Sequence, residues 1–297
     1  MTDKKQILVF GLGYVGTALA RSMAEDGWQI IGTTRNPDTH AMAGQPGWRL
    51  LPFDSTGPID GLADYLAESS AILSTIAPQE QRDPVLHYHR EEIARFTGWS
   101  GYISATSVYA DQTDEWVDET TPTAPATKRG QVRVETEADW QQTLSAEILR
   151  VAGIYGPGRS AFTALRAGTA RIIDKPDHFF NRIHLDDIVA VIRGAMARPS
   201  PGRIVNVTDK EPAKQGDVVR FAADLLGVAP PPTIPFEEAE MSEMARSFYR
   251  SRRRLRSVRI ESELGVQLSY PNYREGLKAV FAADEAALKH TKNPQTS

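Results

Sequence analysis

The sequence predicts an α/β protein, a doubly wound parallel sheet with helices on both faces and a smaller C-terminal part. Three observations carry this. Short apolar runs alternate with amphipathic stretches through roughly the first half of the chain. The first run, Ile7-Leu8-Val9-Phe10, passes directly into Gly11-Leu12-Gly13-Tyr14-Val15-Gly16. The chain has 297 residues, enough to bury a large core without crosslinks.

An apolar run bounded by glycine reads as a strand buried on both faces. Val15, Leu19 and Met23 share one side of the stretch after it, which reads as a helix. The G-x-G-x-x-G string therefore sits between strand and helix, the context of a dinucleotide-binding Rossmann turn. Gly11 would make the tight turn, Gly13 would let the backbone approach a pyrophosphate, and Gly16 would let the helix pack on the sheet. The helix N-terminus adds free N–H groups and partial positive charge. Cofactor contacts are thus expected at Gly11, Leu12, Gly13, Tyr14, Val15 and Gly16. The plainer alternative is an ordinary glycine-rich turn.

Gln29 to Arg35 reads as the second strand, its end facing the adenosine ribose. A site for NAD usually has an acidic residue there for the 2′-hydroxyl. Here Thr33, Thr34 and Arg35 stand in that place, and a guanidinium suits a 2′-phosphate. NADP is therefore the expected cofactor, with NAD as the alternative, in which Arg35 is merely solvated and Asp38 plays the acidic part. Trp48 to Phe53 is the third strand, closed by Asp54, which either meets the adenine edge or caps a helix. Ala71 to Ile76 is the fourth, and Ile76, Ala77 and Pro78 leave the sheet beside the cofactor.

Asp83 to Trp99 reads as a helix. Its His87 and His89 stand at i and i+2 on different faces, which argues against a metal site. Gly101 to Tyr109 is the fifth strand and its turn, with Ser104, Thr106, Ser107 and Tyr109 at the carboxyl end where such sheets bind ligands. Turn chemistry is the alternative reading of that cluster. The loop from Asp111 to Pro125 has the length of an active-site loop. Thr127 to Leu144 reads as a helix carrying Arg129, Arg133, Glu135 and Glu137. Ala146 to Gly158 is the sixth strand.

Beyond it the alternation loosens. Ala161 to Gly168, Asp186 to Met196 and Asp217 to Leu226 read as helices, and Asn181 to His184 and Arg203 to Val207 as strands. Pro230-Pro231-Pro232 is a stiff break. Glu237 to Val258 is charged and partly helical, with Arg250, Arg252, Arg253, Arg254, Arg256 and Arg259. It reads as a solvated helix face or as an anion site. Nucleic-acid binding fits less well, since interleaved aromatics are few. Glu275 to Leu288 closes the chain as a helix, and the last residues read as frayed. Residues 1–160 are thus expected to bind the dinucleotide, completed by 180–210, while 161–179 and 211–297 form a smaller substrate-binding part.

The absence of cysteine excludes disulfides, thiolate metal sites and a cysteine nucleophile. A net charge of −4 argues against general nucleic-acid affinity. No apolar run has the length of a membrane span, and the N-terminus is no signal peptide. These features suit a cytoplasmic protein with a small-molecule substrate, as monomer or homodimer.

With these stretches in place, the chain from Ile7 to Leu277 resembles the short-chain dehydrogenase/reductase superfamily, in its extended NAD-dependent epimerase/dehydratase branch. The carrying pieces are Gly11-x-Gly13-x-x-Gly16, Ser107-Val108-Tyr109, Arg150 with Tyr155-Gly156-Pro157-Gly158, and Arg182-Ile183-His184-Leu185-Asp186-Asp187-Ile188. Asn206-Val207-Thr208-Asp209, Glu263-Leu264-Gly265 and Tyr270-Pro271 complete the set. The resemblance implies a C-terminal part closing over nucleotide sugars or related small alcohols and ketones.

It also implies a Tyr-x-x-x-Lys pair with Ser or Thr, the lysine lowering the tyrosine pKa for proton transfer at neutral pH. This chain departs from that pattern. Ala105 falls at the Ser/Thr position, Arg129 at the tyrosine and Arg133 at the lysine, and no Tyr-x-x-x-Lys occurs anywhere. Arginine stays protonated and cannot replace the tyrosine as acid–base. With Glu119-Thr120-Thr121-Pro122, the pattern resembles an atypical subgroup close to the bacterial YeeZ-type proteins.

Two functions remain open. In the first, the protein is an NADP(H)-dependent oxidoreductase or epimerase-like enzyme. Tyr109 is the substitute proton donor, Ser107 or Thr106 orients a substrate oxygen, Arg129 or Arg133 depresses the tyrosine pKa or binds an anionic substrate, and Arg159 and Arg252 contact substrate. In the second, a catalytically degenerate protein senses NADP(H) or scaffolds a partner.

Overall fold

The computed structural model describes residues 5–79, 82–110, 116–249 and 252–292. Expectations placed on residues 1–4, on Asp111 at the start of its loop, on Arg250 and on residues 293–297 fall outside them.

The chain begins as β1 (Gln6–Phe10), α1 (Tyr14–Glu25), β2 (Gln29–Thr34), β3 (Trp48–Pro52), α2 (Leu62–Glu68), β4 (Ala71–Ser74), α3 (Pro84–Ile93) and β5 (Trp99–Ala105). It continues as β6 (Trp116–Val117), α4 (Lys128–Leu144), β7 (Glu147–Val151), β8 (Gly153–Tyr155), α5 (Ala161–Arg166), β9 (Ile172–Asp174), β10 (Arg182–His184), α6 (Leu185–Ala197) and β11 (Ile204–Val207). The last elements are α7 (Gln215–Leu226), β12 (Thr233–Pro235), α8 (Glu243–Phe248), β13 (Arg254–Leu255) and α9 (Tyr273–Lys292). No helix among the described residues is long and apolar enough to cross a membrane.

Seven strands form one sheet in the order β11-β7-β5-β4-β1-β2-β3, every pair parallel. Alternating side chains explain why helices cover both faces. Ile7, Val9, Leu73, Ile103 and Leu149 point into a core closed by α1 and α6, through Val15, Leu19, Ile188 and Ile192. Leu8, Phe10, Ile72, Tyr102 and Ile148 point the other way, onto Leu62 of α2, Leu86 of α3 and Trp140 of α4. A separate core of Tyr155, Phe162, Ala222 and Leu277 joins α5, α7 and α9.

The expected sixth strand is two strands. The Ala152 amide still donates to Val207 in the main sheet, but the Gly153 amide donates to Asn181. The exchange of partner turns β8 out of the sheet, to pair with β10. Expected helix 83–99 ends at Ile93, and Trp99 opens β5. The arginine-rich stretch is not one helix face. Most of its described arginines follow α8 on extended chain, where β13 pairs with β6.

Candidate functional site

β1 lies between β2 and β4, and the chain winds away from it in opposite directions. That reversal leaves a crevice at the carboxyl ends of β1 and β4, the place where doubly wound sheets bind ligands. The glycine loop fills its floor. Gly11 has φ +92°, a left-handed conformation that favours glycine. Two threonines hold it from either side. The Gly11 amide donates to Thr33 Oγ1 at 2.8 Å, and Thr75 Oγ1 donates to the Gly11 carbonyl at 2.7 Å. A Cβ on Gly16 would lie 2.2 Å from the Gly11 carbonyl oxygen, so only glycine lets α1 pack here.

Gly13 differs. It is exposed, and an added Cβ would meet nothing within 4 Å. α1 begins directly after it without a side-chain cap, leaving the amides of Tyr14, Val15 and Gly16 for an external acceptor. An open cradle under an uncapped helix fits a pyrophosphate. Leu12 and Val15 are buried, so their side chains belong to the core. The Leu12 amide is also spent on the Thr33 carbonyl.

At the end of β2, Thr34 is half-buried and Arg35 exposed. Among the described residues nothing bonds or ion-pairs with the Arg35 side chain. His40 folds back over the loop: its Nδ1 accepts from the Met42 amide, so Nε2 carries the proton and lies 3.3 Å from the Leu12 carbonyl. Asp54 is exposed and is not the cap of α2, which begins after Gly61. Asp54 Oδ1 accepts from the Thr56 amide and hydroxyl, which hold the carboxyl below its usual range. Ile76 packs over Gly11, while Ala77 is exposed and Pro78 half-buried.

After β5 the chain makes a single 3₁₀ turn, Thr106–Val108. Thr106 and Ser107 are half-buried on it, and no described residue bonds their hydroxyls. Tyr109 is another matter, and its expected role as proton donor is corrected here. It is 0% exposed. Its hydroxyl donates to Asn206 Oδ1 at 2.7 Å and accepts from Arg150 Nη1 at 2.9 Å. Burial pushes its pKa up against the pull of Arg150, opposite to what a proton-transferring phenol needs. Arg150 is itself fixed by Glu137, 2.7 Å away, and Glu137 takes the Ser104 hydroxyl. Ser104 is therefore internal too.

Arg133 is also corrected. It is buried, and it donates to the Tyr102 hydroxyl at 3.0 Å and the Ile103 carbonyl at 3.2 Å, bracing α4 on β5. Arg129 is exposed on the first turn of α4. Its neighbour Gly130 packs so closely that a Cβ would lie 2.6 Å from the Ser107 carbonyl oxygen. Arg252 is exposed beside Arg253, whose guanidinium donates to the Tyr109 carbonyl at 2.7 Å. Three of the other arginines are tied down: Arg254 over the Phe179 ring, Arg256 on Asp118, and Arg259 on the Ile204 carbonyl.

Arg159 lies near the glycine loop. The amide and carbonyl of Gly156 and Arg159 bond each other at 3.0 Å both ways, closing a tight turn around Pro157 and Gly158. The Tyr14 hydroxyl donates to the Pro157 carbonyl at 2.8 Å, and the exposed Arg159 guanidinium lies 5.7 Å from the Tyr14 ring.

Thr33, expected beside the ribose phosphate, is instead fully buried with its hydroxyl on Gly11, and the clamp by Thr75, just past β4, has no counterpart among the sequence expectations. Glu119, met in the sequence only as part of Glu119-Thr120-Thr121-Pro122, is a structural clasp. Its buried carboxylate accepts from the Asn206 amide, the Ser257 hydroxyl and the Val258 amide.

No family model matches the chain. Protein YeeZ of Escherichia coli K12 is 30% identical over 289 residues, spanning 90% of this chain and 97% of that one. The solved structure of a conserved protein of unknown function from Silicibacter pomeroyi is 43% identical. The alignment spans 95% of this chain and 99% of that one, with a TM-score of 0.86. UDP-glucuronic acid 4-epimerase from Bacillus cereus, solved with NAD, has a TM-score of 0.74 over 95% of this chain and 99% of its own. At 16% identity that likeness concerns the fold. The all-parallel sheet, the glycine cradle and these relatives agree: the chain belongs to the YeeZ-like proteins, an atypical group of the extended short-chain dehydrogenase/reductases in the NAD-dependent epimerase/dehydratase branch.

Proposed function

We propose that the protein binds NADP(H) in the crevice over β1 and acts as an oxidoreductase of the epimerase type on a small anionic substrate. The open Gly13 cradle under the uncapped α1 carries this reading. Its residues divide the work. The amides of Tyr14, Val15 and Gly16 face the pyrophosphate, and Arg35 with Thr34 takes the 2′-phosphate. Ile76, Ala77 and Pro78 border the same crevice, and Asp54 stands near its adenine end. A bound nicotinamide supplies hydride transfer. Thr106 and Ser107 orient the substrate oxygen by hydrogen bonds, without a phenolic acid. Lys128 and Arg129 put positive charge at the first turn of α4 beside Ser107, and Arg252 adds more, hence an anionic substrate.

The test is a titration with NADPH and NADH followed by quenching of tryptophan fluorescence. NADPH should bind about tenfold or more tightly than NADH, the scale of one charge-assisted contact. Hydride exchange from NADPH should then follow with at least one carboxylated or phosphorylated aldehyde or ketone. Absence of binding by either nucleotide overturns the reading.

A second reading, an NADP(H) sensor or scaffold without turnover, is favoured by one observation. All three positions of the usual machinery are changed, and the substitute Tyr109 is sealed. It predicts tight NADPH binding and no hydride exchange across the panel.

A further inference from the structure

Arg159 was expected to contact substrate, but its surroundings are those of the glycine loop. The turn that carries it leaves β8 and is locked by the paired bonds between Gly156 and Arg159. Pro157 presets the first corner, and Gly158, at φ +71°, takes the left-handed second corner that a type II turn requires. Tyr14 is the first residue of α1, and its hydroxyl ties this turn to the helix start. The fit leaves no room for change: a Cβ on Gly156 would lie 2.7 Å from that hydroxyl. A rigid turn therefore holds a guanidinium beside the side chain of Tyr14, the residue that opens the uncapped α1.

We infer that Arg159 is the cationic arm of the pyrophosphate site. This rests on the reading that the glycine loop holds NADP(H). The helix start offers amides and only partial charge, whereas a pyrophosphate carries two full negative charges. Arg159 supplies a full positive charge with a fork of donors suited to phosphate oxygens. Among the described residues it has no carboxylate partner to leave, and its contact with the Tyr14 ring is a weak, exposed one. The nearby acid is Asp186 on the first turn of α6, whose charge acts on Tyr14. Arg159 offsets that repulsion when an anion arrives. The same contact links two stretches far apart in sequence, the helix start and the turn after β8, through one ligand.

The pyrophosphate is common to NADPH and NADH, which separates Arg159 from Arg35 experimentally. Dissociation constants for both nucleotides are measured by fluorescence quenching on the wild-type protein, Arg159→Ala and Arg159→Lys, with thermal melts to confirm folding. Arg159→Ala should weaken both nucleotides about tenfold and leave their ratio unchanged. Arg159→Lys, which keeps the charge without the fork, should recover part of the loss. Unchanged affinities in Arg159→Ala overturn the assignment and return Arg159 to the substrate. A changed ratio overturns it too, because the residue then acts at the 2′ position. If the wild-type protein binds neither nucleotide, the cofactor reading itself falls and takes this inference with it.

Discussion

Tyr109 donates its hydroxyl to Asn206 Oδ1 at 2.7 Å, joining the turn after β5 to the edge strand β11. The bond is internal and fully sealed. Tyr109→Phe should therefore lower stability by about 1–3 kcal/mol, since Asn206 Oδ1 loses its donor and an Arg150 donor loses its acceptor. NADPH affinity and any hydride exchange should survive. Urea denaturation and the nucleotide titration check the two halves separately. A variant that folds as well as wild type and loses turnover would restore Tyr109 as the acid.

The two later glycines of the loop should part company on substitution. Gly16→Ala puts a methyl 2.2 Å from the Gly11 carbonyl oxygen, so it should destabilise the fold by about 1–3 kcal/mol or more. Gly13→Ala meets nothing within 4 Å. Its stability should change by less than about 1 kcal/mol. The methyl instead occupies the space a pyrophosphate needs, and NADPH affinity should fall about tenfold or more. Thermal melts with titrations show the dissociation between the two.

Arg35 is exposed at the end of β2, and among the described residues its side chain has no bonding partner. Arg35→Ala should cost nothing in stability. It should raise the dissociation constant for NADPH by about ten- to a hundredfold and leave that for NADH in place. Titrating both nucleotides against the variant measures this. A parallel loss for both would move Arg35 away from the 2′-phosphate.

Asp209 gives a pH signature. Its carboxyl is 1% exposed, and burial pushes its pKa up to about 8, against the pull of Arg182 and an amide bond from Glu211. Between about pH 4 and pH 8 the unfolded chain gives up this proton while the folded one keeps it. The unfolded state then binds fewer protons, so this group's contribution to stability falls as pH rises through that window. Asp209→Asn removes the titration. The variant should gain on wild type with rising pH, by at most about 1.4 kcal/mol per pH unit. Urea denaturation near pH 5 and near pH 8 checks the sign.

Much of the sheet was legible because strands buried on both faces are mainly apolar, as β1 and β4 are, and because β2 and β5 fall in the regular alternation of strand and helix. The glycine loop was legible because its glycine spacing lies within six residues where β1 meets α1; the threonines that hold Gly11, 22 and 64 residues away, were not. Tyr109 was misread because its fate depends on Arg150 and Asn206, 41 and 97 residues away. Position at a strand end does not say whether a side chain opens to the crevice or turns inward. Arg133 failed in the same way, since its partners Tyr102 and Ile103 depend on how α4 seats on β5. The break between β7 and β8 needed Asn181 and Val207, which local periodicity does not contain.

The buried carboxylate of Glu119 reaches partners 87, 138 and 139 positions further along. Such a clasp closes only once nearly the whole chain has been made, and loop closure over that span is entropically slow. Nascent chains would hold the 116–122 loop unfastened until the segment around Ser257 emerges. Truncation before that point should therefore leave the edge of the sheet beside β11 unsecured, however complete the nucleotide cradle already is.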